Sequence, residues 1–237
     1  MMLLDRLLFI IPITMITFVF IYDYYRIYFK GEWGHTEVTN PFMYCWDESF
    51  IDDSITINPR LTVYLSFDFN VDPITCSVHQ YGDGWYYTLK EYNLNDSNTE
   101  KLCERIKAEL GHCHIRCTGD SSGWARKTSS RFRDWEIVQQ VLKPAKIDVT
   151  RSNPNVSESR TLSNTILGRH PNRKFHSSCY NLIEDMRLVR WESGKLMKDA
   201  IEEGRMVKTD LKRTHLLDTL RYMDNTYFAN FIEKQKR

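Results

Sequence analysis

Asp68 closes the apolar run at the start of "YLSFDFNVDP" (Tyr64–Pro73), just ahead of a strand-breaking Asn-x-Asp-Pro. Asp120 lies in "TGDSSG", after the run "HIRCT", and His215 and Asp218 stand three residues apart in "THLLDTLRYMDN". Carboxylates gathered without a counter-charge repel one another and raise each other's pKa. A hard divalent cation, Mg²⁺ or Mn²⁺, removes that penalty and prefers oxygen ligands. Two such ions, about 3.5–4 Å apart, can activate a water and stabilise the leaving oxygen of an in-line phosphoryl displacement. Each residue also has an ordinary reading. Asp68 opens a turn, Asp120 caps the segment after it, Asp218 pairs with Arg221 or Tyr222, and His215 packs or faces solvent.

The elements that must position these groups can be read in order. "LTVYLSF" predicts a strand that is apolar on both faces and therefore central in its sheet. "ITCSVHQY" and "WYYTLKEY" predict two more strands, joined by the tight turn "GDG" (Gly82–Gly84) into an antiparallel meander. Ser97 and Glu100 form a capping-box pattern, Leu102, Ile106 and Leu110 make a helical apolar stripe, and Gly111 stops that helix. A strand over "HIRCT", reached through this crossover, should run parallel to an earlier strand. Helices follow over Arg133–Pro144 and Ser157–Gly168, with a short strand in "AKIDVT" between them. A hairpin around Glu192–Lys195 comes next, and a last helix begins near Asp210 or Thr214. The order implies an α/β fold, a mixed sheet flanked by helices. Ligand sites on such sheets lie beyond the carboxyl ends of strands, which is where Asp68 and Asp120 fall. His215 and Asp218 share one face of the last helix.

Charge and cysteines narrow the classes. The 237 residues carry a formal net charge of only +1, so any nucleic-acid surface needs uneven charge placement. From Ser121 to Lys174 there are 11 Lys and Arg against 4 Asp and Glu, a local balance of 11 − 4 = +7. Phosphate binding would concentrate there, with Arg126, Lys127, Arg131 and Arg133 the expected DNA contacts; a solvated basic face is the alternative. Six cysteines lack the paired spacing of a structural zinc site, although "HCHIRC" tempts one, and fit reduced thiols in a reducing compartment. "LLFIIPITMITFVFIY" (Leu7–Tyr22) falls short of the roughly 20 residues of a spanning helix. Pro12 interrupts it.

These motifs, in this order, resemble the nuclease domain of phage terminase large subunits. "YLSFDFNVDP" is similar to the family's first-strand motif, with Asn70 where glycine is common. "TGDSSG" resembles the second acidic motif, and "THLLDTLRYMDN" the last, with Thr219 in place of an alanine. "YYRIYFKGEWG" (Tyr24–Gly34) resembles the segment that closes the ATPase domain, and "NPNVSESRTLSNTIL" an arginine-bearing helix. The resemblance covers about residues 24–230. It implies an RNase H-like fold and a two-metal endonuclease that cuts concatemeric double-stranded DNA. Asp68, Asp120 and Asp218 would be catalytic metal ligands assisted by His215, with two Mg²⁺ or Mn²⁺ ions. Partners would be the portal protein and the small terminase subunit, in the host cytoplasm and transiently at the procapsid portal. No G-x-x-x-x-G-K-[ST] loop is present, so ATP hydrolysis is not expected of this chain, and a separately encoded ATPase portion would be a further partner. The implied organisation is an apolar lead-in over 1–23, a linker over 24–58 and the nuclease domain over 59–237. Two rival readings share some of these features: another RNase H-like enzyme of the resolvase or transposase type, and a membrane-anchored interaction protein built around Leu7–Tyr22.

Overall fold

The structure is a computed structural model, and it describes residues 40–70, 72–126, 131–192, 195–197, 200–202, 205–207 and 214–231. The apolar lead-in, the first part of the expected linker and Lys127 lie outside the described residues. Among the described residues no helix is long and apolar enough to cross a membrane.

Strands β1 (Val63–Asp68), β2 (Ile74–Gly82) and β3 (Trp85–Leu94) form the expected antiparallel meander. Gly84 supplies the positive φ, 77°, of the turn between β2 and β3. Helix α1 (Thr99–Leu110) crosses the sheet and leads into β4 (Ile115–Gly119), which lies parallel to β1 as predicted. A 3-10 turn (Ser121–Trp124), helix α2 (Asp134–Val141), strand β5 (Lys146–Ile147) and helix α3 (Val156–Arg169) follow. Then come β6 (Arg173–Phe175), α4 (Tyr180–Leu188), β7 (Arg190–Glu192), β8 (Lys195–Met197), β9 (Ala200–Glu202), β10 (Arg205–Val207) and α5 (His215–Tyr227). The main sheet has six strands in the order β5-β4-β1-β2-β3-β6, with β7-β8 and β9-β10 as separate hairpins. The β7-β8 pair is the hairpin expected around Glu192–Lys195.

Two local expectations differ from the structure. Asn98, not Ser97, caps α1: its side-chain oxygen accepts from the Lys101 N–H at 2.9 Å. Both residue types can cap, and the extended backbone falls at Asn98. Strand β6 and helix α4 have no counterpart in the sequence reading. "RKF" is too short and too basic to look like a strand, yet Arg173 is only 2% exposed. Its guanidinium lies between the Tyr86 and Phe175 rings, 3.8 and 3.7 Å from their centroids, and donates to the Thr88 hydroxyl at 2.6 Å. One of the eleven charges of the basic stretch is thus a core residue. Another, Arg160, donates to the carbonyls of Pro41 and Phe42 and fastens that segment to α3.

The sheet separates two layers. On one face Val63, Leu65 and Phe67 of β1 pack with Cys76, Leu102, Ile106, Cys117, Trp135 and Val138 under α1 and α2. Strand alternation sends Tyr64, Ser66 and Asp68 to the other face. There the sheet meets α5 through small hydroxyl side chains. The Ser66 hydroxyl donates to the Thr219 carbonyl at 2.6 Å, Thr219 donates to the Ser77 hydroxyl at 2.7 Å, and the Thr118 and Thr226 hydroxyls bond at 2.7 Å. The opposite face of α5 buries Leu216, Leu217 and Leu220 among Phe42, Phe175, Leu182 and Met186.

Farther along α5, Asp224 is buried, accepting from the Tyr86 hydroxyl at 3.0 Å and the Ser163 hydroxyl at 2.6 Å. Burial pushes its carboxyl up to about 6, against the lowering effect of nearby Arg173. A carboxyl that holds its proton more tightly when folded gains stability as pH falls from about 6 toward about 4. The gain is roughly 2–3 kcal/mol. Urea denaturation across that window should show the wild type gaining stability relative to Asp224→Asn. Parallel curves for the two proteins would assign Asp224 no proton uptake on folding.

Candidate metal centre

Asp68 and Asp120 leave the sheet at one edge because β1 and β4 are adjacent and parallel. The register pairs Phe67 with Gly119, so the next residue on each strand is the acid. The Asp120 N–H donates to the Phe67 carbonyl at 2.9 Å, tying the two strand ends together. Gly119 makes this approach possible. Its φ is 146°, and a Cβ there would lie 2.2 Å from the Phe67 carbonyl oxygen.

Helix α5 brings the remaining groups. Thr214, at its N-cap, has a φ of 88°, unfavourable for a β-branched residue. Its N–H is held by the buried carboxylate of Asp185 at 3.1 Å. This turn aims His215 at the end of β1, where its Nδ1 lies 3.1 Å from Asp68 Oδ2. Asp218, one turn along, completes a group in which one ligand atom each from Asp68, His215 and Asp218 lies within 4.8 Å of the others. Asp68 is 4% and His215 8% exposed, so the cluster is largely shielded from water. Burial pushes the Asp218 carboxyl up to about 6; the Asp68 charge adds to the rise, and Arg221 opposes it. Arg221 pairs with Asp218 and donates through Nε to the Ser159 hydroxyl at 2.8 Å. The ordinary pairing anticipated for Asp218 therefore exists, but on a buried helix face beside two further ligand groups.

Asp120 stands apart from this trio. One carboxylate oxygen accepts from the Ser122 N–H and from the Asn153 side-chain amide, each at 2.7 Å, and the other accepts from the Ser122 hydroxyl. It therefore caps the 3-10 turn, as its ordinary reading has it, and the Trp135 indole fixes its carbonyl at 2.8 Å. Tyr222 links it to the cluster: burial first, then Asp218, Asp68 and Asp120 in turn, raise that phenol well above its usual range. All three acids therefore act on one side chain. The sequence named Tyr222 only as a partner for Asp218.

Two buried or half-buried acids, or three with Asp120, and an imidazole form a set of hard oxygen donors with one nitrogen, which fits Mn²⁺ or Mg²⁺.

Of the expected DNA contacts, Arg126, Arg131 and Arg133 are all exposed. Arg131 lies over the Phe132 ring, 5.5 Å from its centroid, and Arg133 is 4.0 Å from Glu136. Of the three, Arg131 lines an open groove of about 600 Å³, together with Phe132, Glu136, Gln139, Gln140 and Lys143.

No protein-family model and no curated protein sequence matches the chain. Solved structures do. A large terminase from a thermophilic bacteriophage, in complex with ATP-gamma-S, is 16% identical with a TM-score of 0.60, over 79% of this chain and 45% of that one. The P22 large terminase nuclease domain is 13% identical with a TM-score of 0.57, over 82% of this chain and 95% of that one. The large terminase nuclease from thermophilic phage G20c with bound cobalt is 14% identical with a TM-score of 0.52, over 81% and 98%. The chain spans less than half of the ATP-gamma-S-bound protein and almost the whole of the two nuclease domains. Its mixed sheet flanked by helices is the RNase H-like fold of terminase nuclease domains.

Proposed function

We propose, from the premise that this chain has the fold of a terminase nuclease domain, that it is the divalent-metal-dependent endonuclease of a phage DNA-packaging terminase. The observation that carries the reading is the convergence of Asp68, His215 and Asp218 at the carboxyl edge of the sheet. Asp120, one strand over, would complete a site for two ions. A bound cation would supply charge for the in-line phosphoryl displacement and a nucleophilic water at neutral pH. The residues do the rest. The strand ends hold two carboxylates in fixed register, α5 sets the third over them, and Arg221 restrains its rotation. Mn²⁺ or Mg²⁺ is the cofactor under this reading, and His215 favours Mn²⁺.

The substrate would be concatemeric double-stranded DNA, tracked by Arg126, Arg131 and Arg133, with Lys127 between them in sequence. The portal protein, the small terminase subunit and a terminase ATPase portion would be the partners, in the host cytoplasm and transiently at the procapsid portal. ATP hydrolysis falls outside this chain, which has no phosphate-binding loop.

Plasmid and linear duplex incubated with the full chain should be cut with Mn²⁺ and left intact with EDTA. Preference for four-way junctions, or strand transfer instead of hydrolysis, would favour the resolvase or transposase reading. Neutralising Arg126, Arg131 and Arg133 together should weaken DNA binding about equally for all sequences. It should also lower the slope of log K against log salt by up to about 3. A salt slope equal to the wild type's would take these residues off the DNA path.

A further inference from the structure

We propose that Asn70 is a ligand of the same cation, a carboxamide oxygen that this chain adds to Asp68, His215 and Asp218. The inference rests on reading that cluster as a metal site.

The geometry is specific. The Asn70 amide nitrogen donates to Asp68 Oδ2 and lies 2.7 Å from His215 Nδ1. Asp68 Oδ2 and His215 Nδ1 are themselves 3.1 Å apart. The carboxamide of Asn70 therefore lies within contact distance of two of the three candidate ligand atoms. A cation with bonds of about 2.1 Å separates neighbouring octahedral ligands by about 3.0 Å. The Asp68–His215 edge already has that length. The amide nitrogen contacts both ends of that edge. A half-turn of the carboxamide about its last bond exchanges the NH₂ group for Oδ1, a neutral hard oxygen of the kind Mn²⁺ and Mg²⁺ accept. Asn70 is half-buried, so the turn requires no opening of the core.

The test is calorimetric titration of Mn²⁺ alone into the full chain, with no DNA present. Asn70→Ala should bind Mn²⁺ at least about tenfold more weakly than wild type. Asn70→Asp, which keeps an oxygen in place, should bind at least as tightly as wild type. Equal or tighter binding by Asn70→Ala would overturn the proposal, because the amide would then only fill the space. So would weak binding by Asn70→Asp in a variant whose metal-free melting matches the wild type. Asp68→Ala separates this inference from the reading beneath it. If Asp68→Ala abolishes binding while Asn70→Ala leaves it unchanged, Asn70 alone loses its role. If the wild type takes up no Mn²⁺ that depends on Asp68, the metal centre itself is lost, and Asn70's part with it.

Discussion

Asp68→Ala is expected to lower Mn²⁺-dependent DNA cleavage by about 10³-fold or more while the domain still folds. A carboxylate that neutralises charge where the transition state develops it is worth several kcal/mol. Asp68 is the hub of the cluster: it faces His215 at 3.1 Å, receives the Asn70 amide and helps hold the Asp218 carboxyl up. Its loss leaves the other ligands without a common partner. Folding should survive because Asp68 ends its strand, and β1 keeps its pairing to β2 and β4 through Leu65 and Phe67. Near-ultraviolet circular dichroism checks the fold, and gel-based plasmid nicking with Mn²⁺ checks the activity. A folded variant that nicks at the wild-type rate would remove Asp68 from the chemistry.

The second large effect is steric. Gly119→Ala puts a methyl group 2.2 Å from the Phe67 carbonyl oxygen and 2.6 Å from the Phe67 nitrogen, at a φ of 146° that side chains rarely adopt. Strand β4 has to shift against β1, and the atoms that move first carry Asp68 and Asp120. A loss of about 3 kcal/mol is expected, equivalent to about 10 °C in melting temperature for a domain of this size. Gly84 is the control. Its φ is 77° and nothing lies within 4 Å of an added Cβ, so Gly84→Asn should change melting by no more than about 2 °C. Similar melting for Gly119→Ala and wild type would mean that the two strand ends are not as closely bound as described.

The shared edge of the two acids could be read from the sequence because strand order and direction place the strand ends. An acid ending an apolar strand, and another ending the strand beyond a crossover helix, must share one edge if the strands are parallel neighbours. The hydroxyl seam under α5 was hidden for a periodic reason. Tyr64, Ser66 and Asp68 read as half of an apolar strand, when they are the face on which the helix sits. Arg173 misled the charge count because only the neighbouring Tyr86 and Phe175 rings explain a buried guanidinium. Asn70 looked like a mild departure from a motif, since nothing local says that a residue 145 positions away will meet its amide. Asp120 carried two readings, cap and edge acid, and its capping bonds are present at the edge where the second reading needs it.

The fastening of residues 41–45 reaches farther than packing. Phe42 gives its carbonyl to Arg160 and Asn164, and its N–H to the Val189 carbonyl at 2.7 Å. Its ring lies 6.0 Å from the Arg221 guanidinium, the group that restrains Asp218. The Pro41–Phe42 segment and the Asp218 carboxylate therefore share one neighbour, the Arg221 guanidinium.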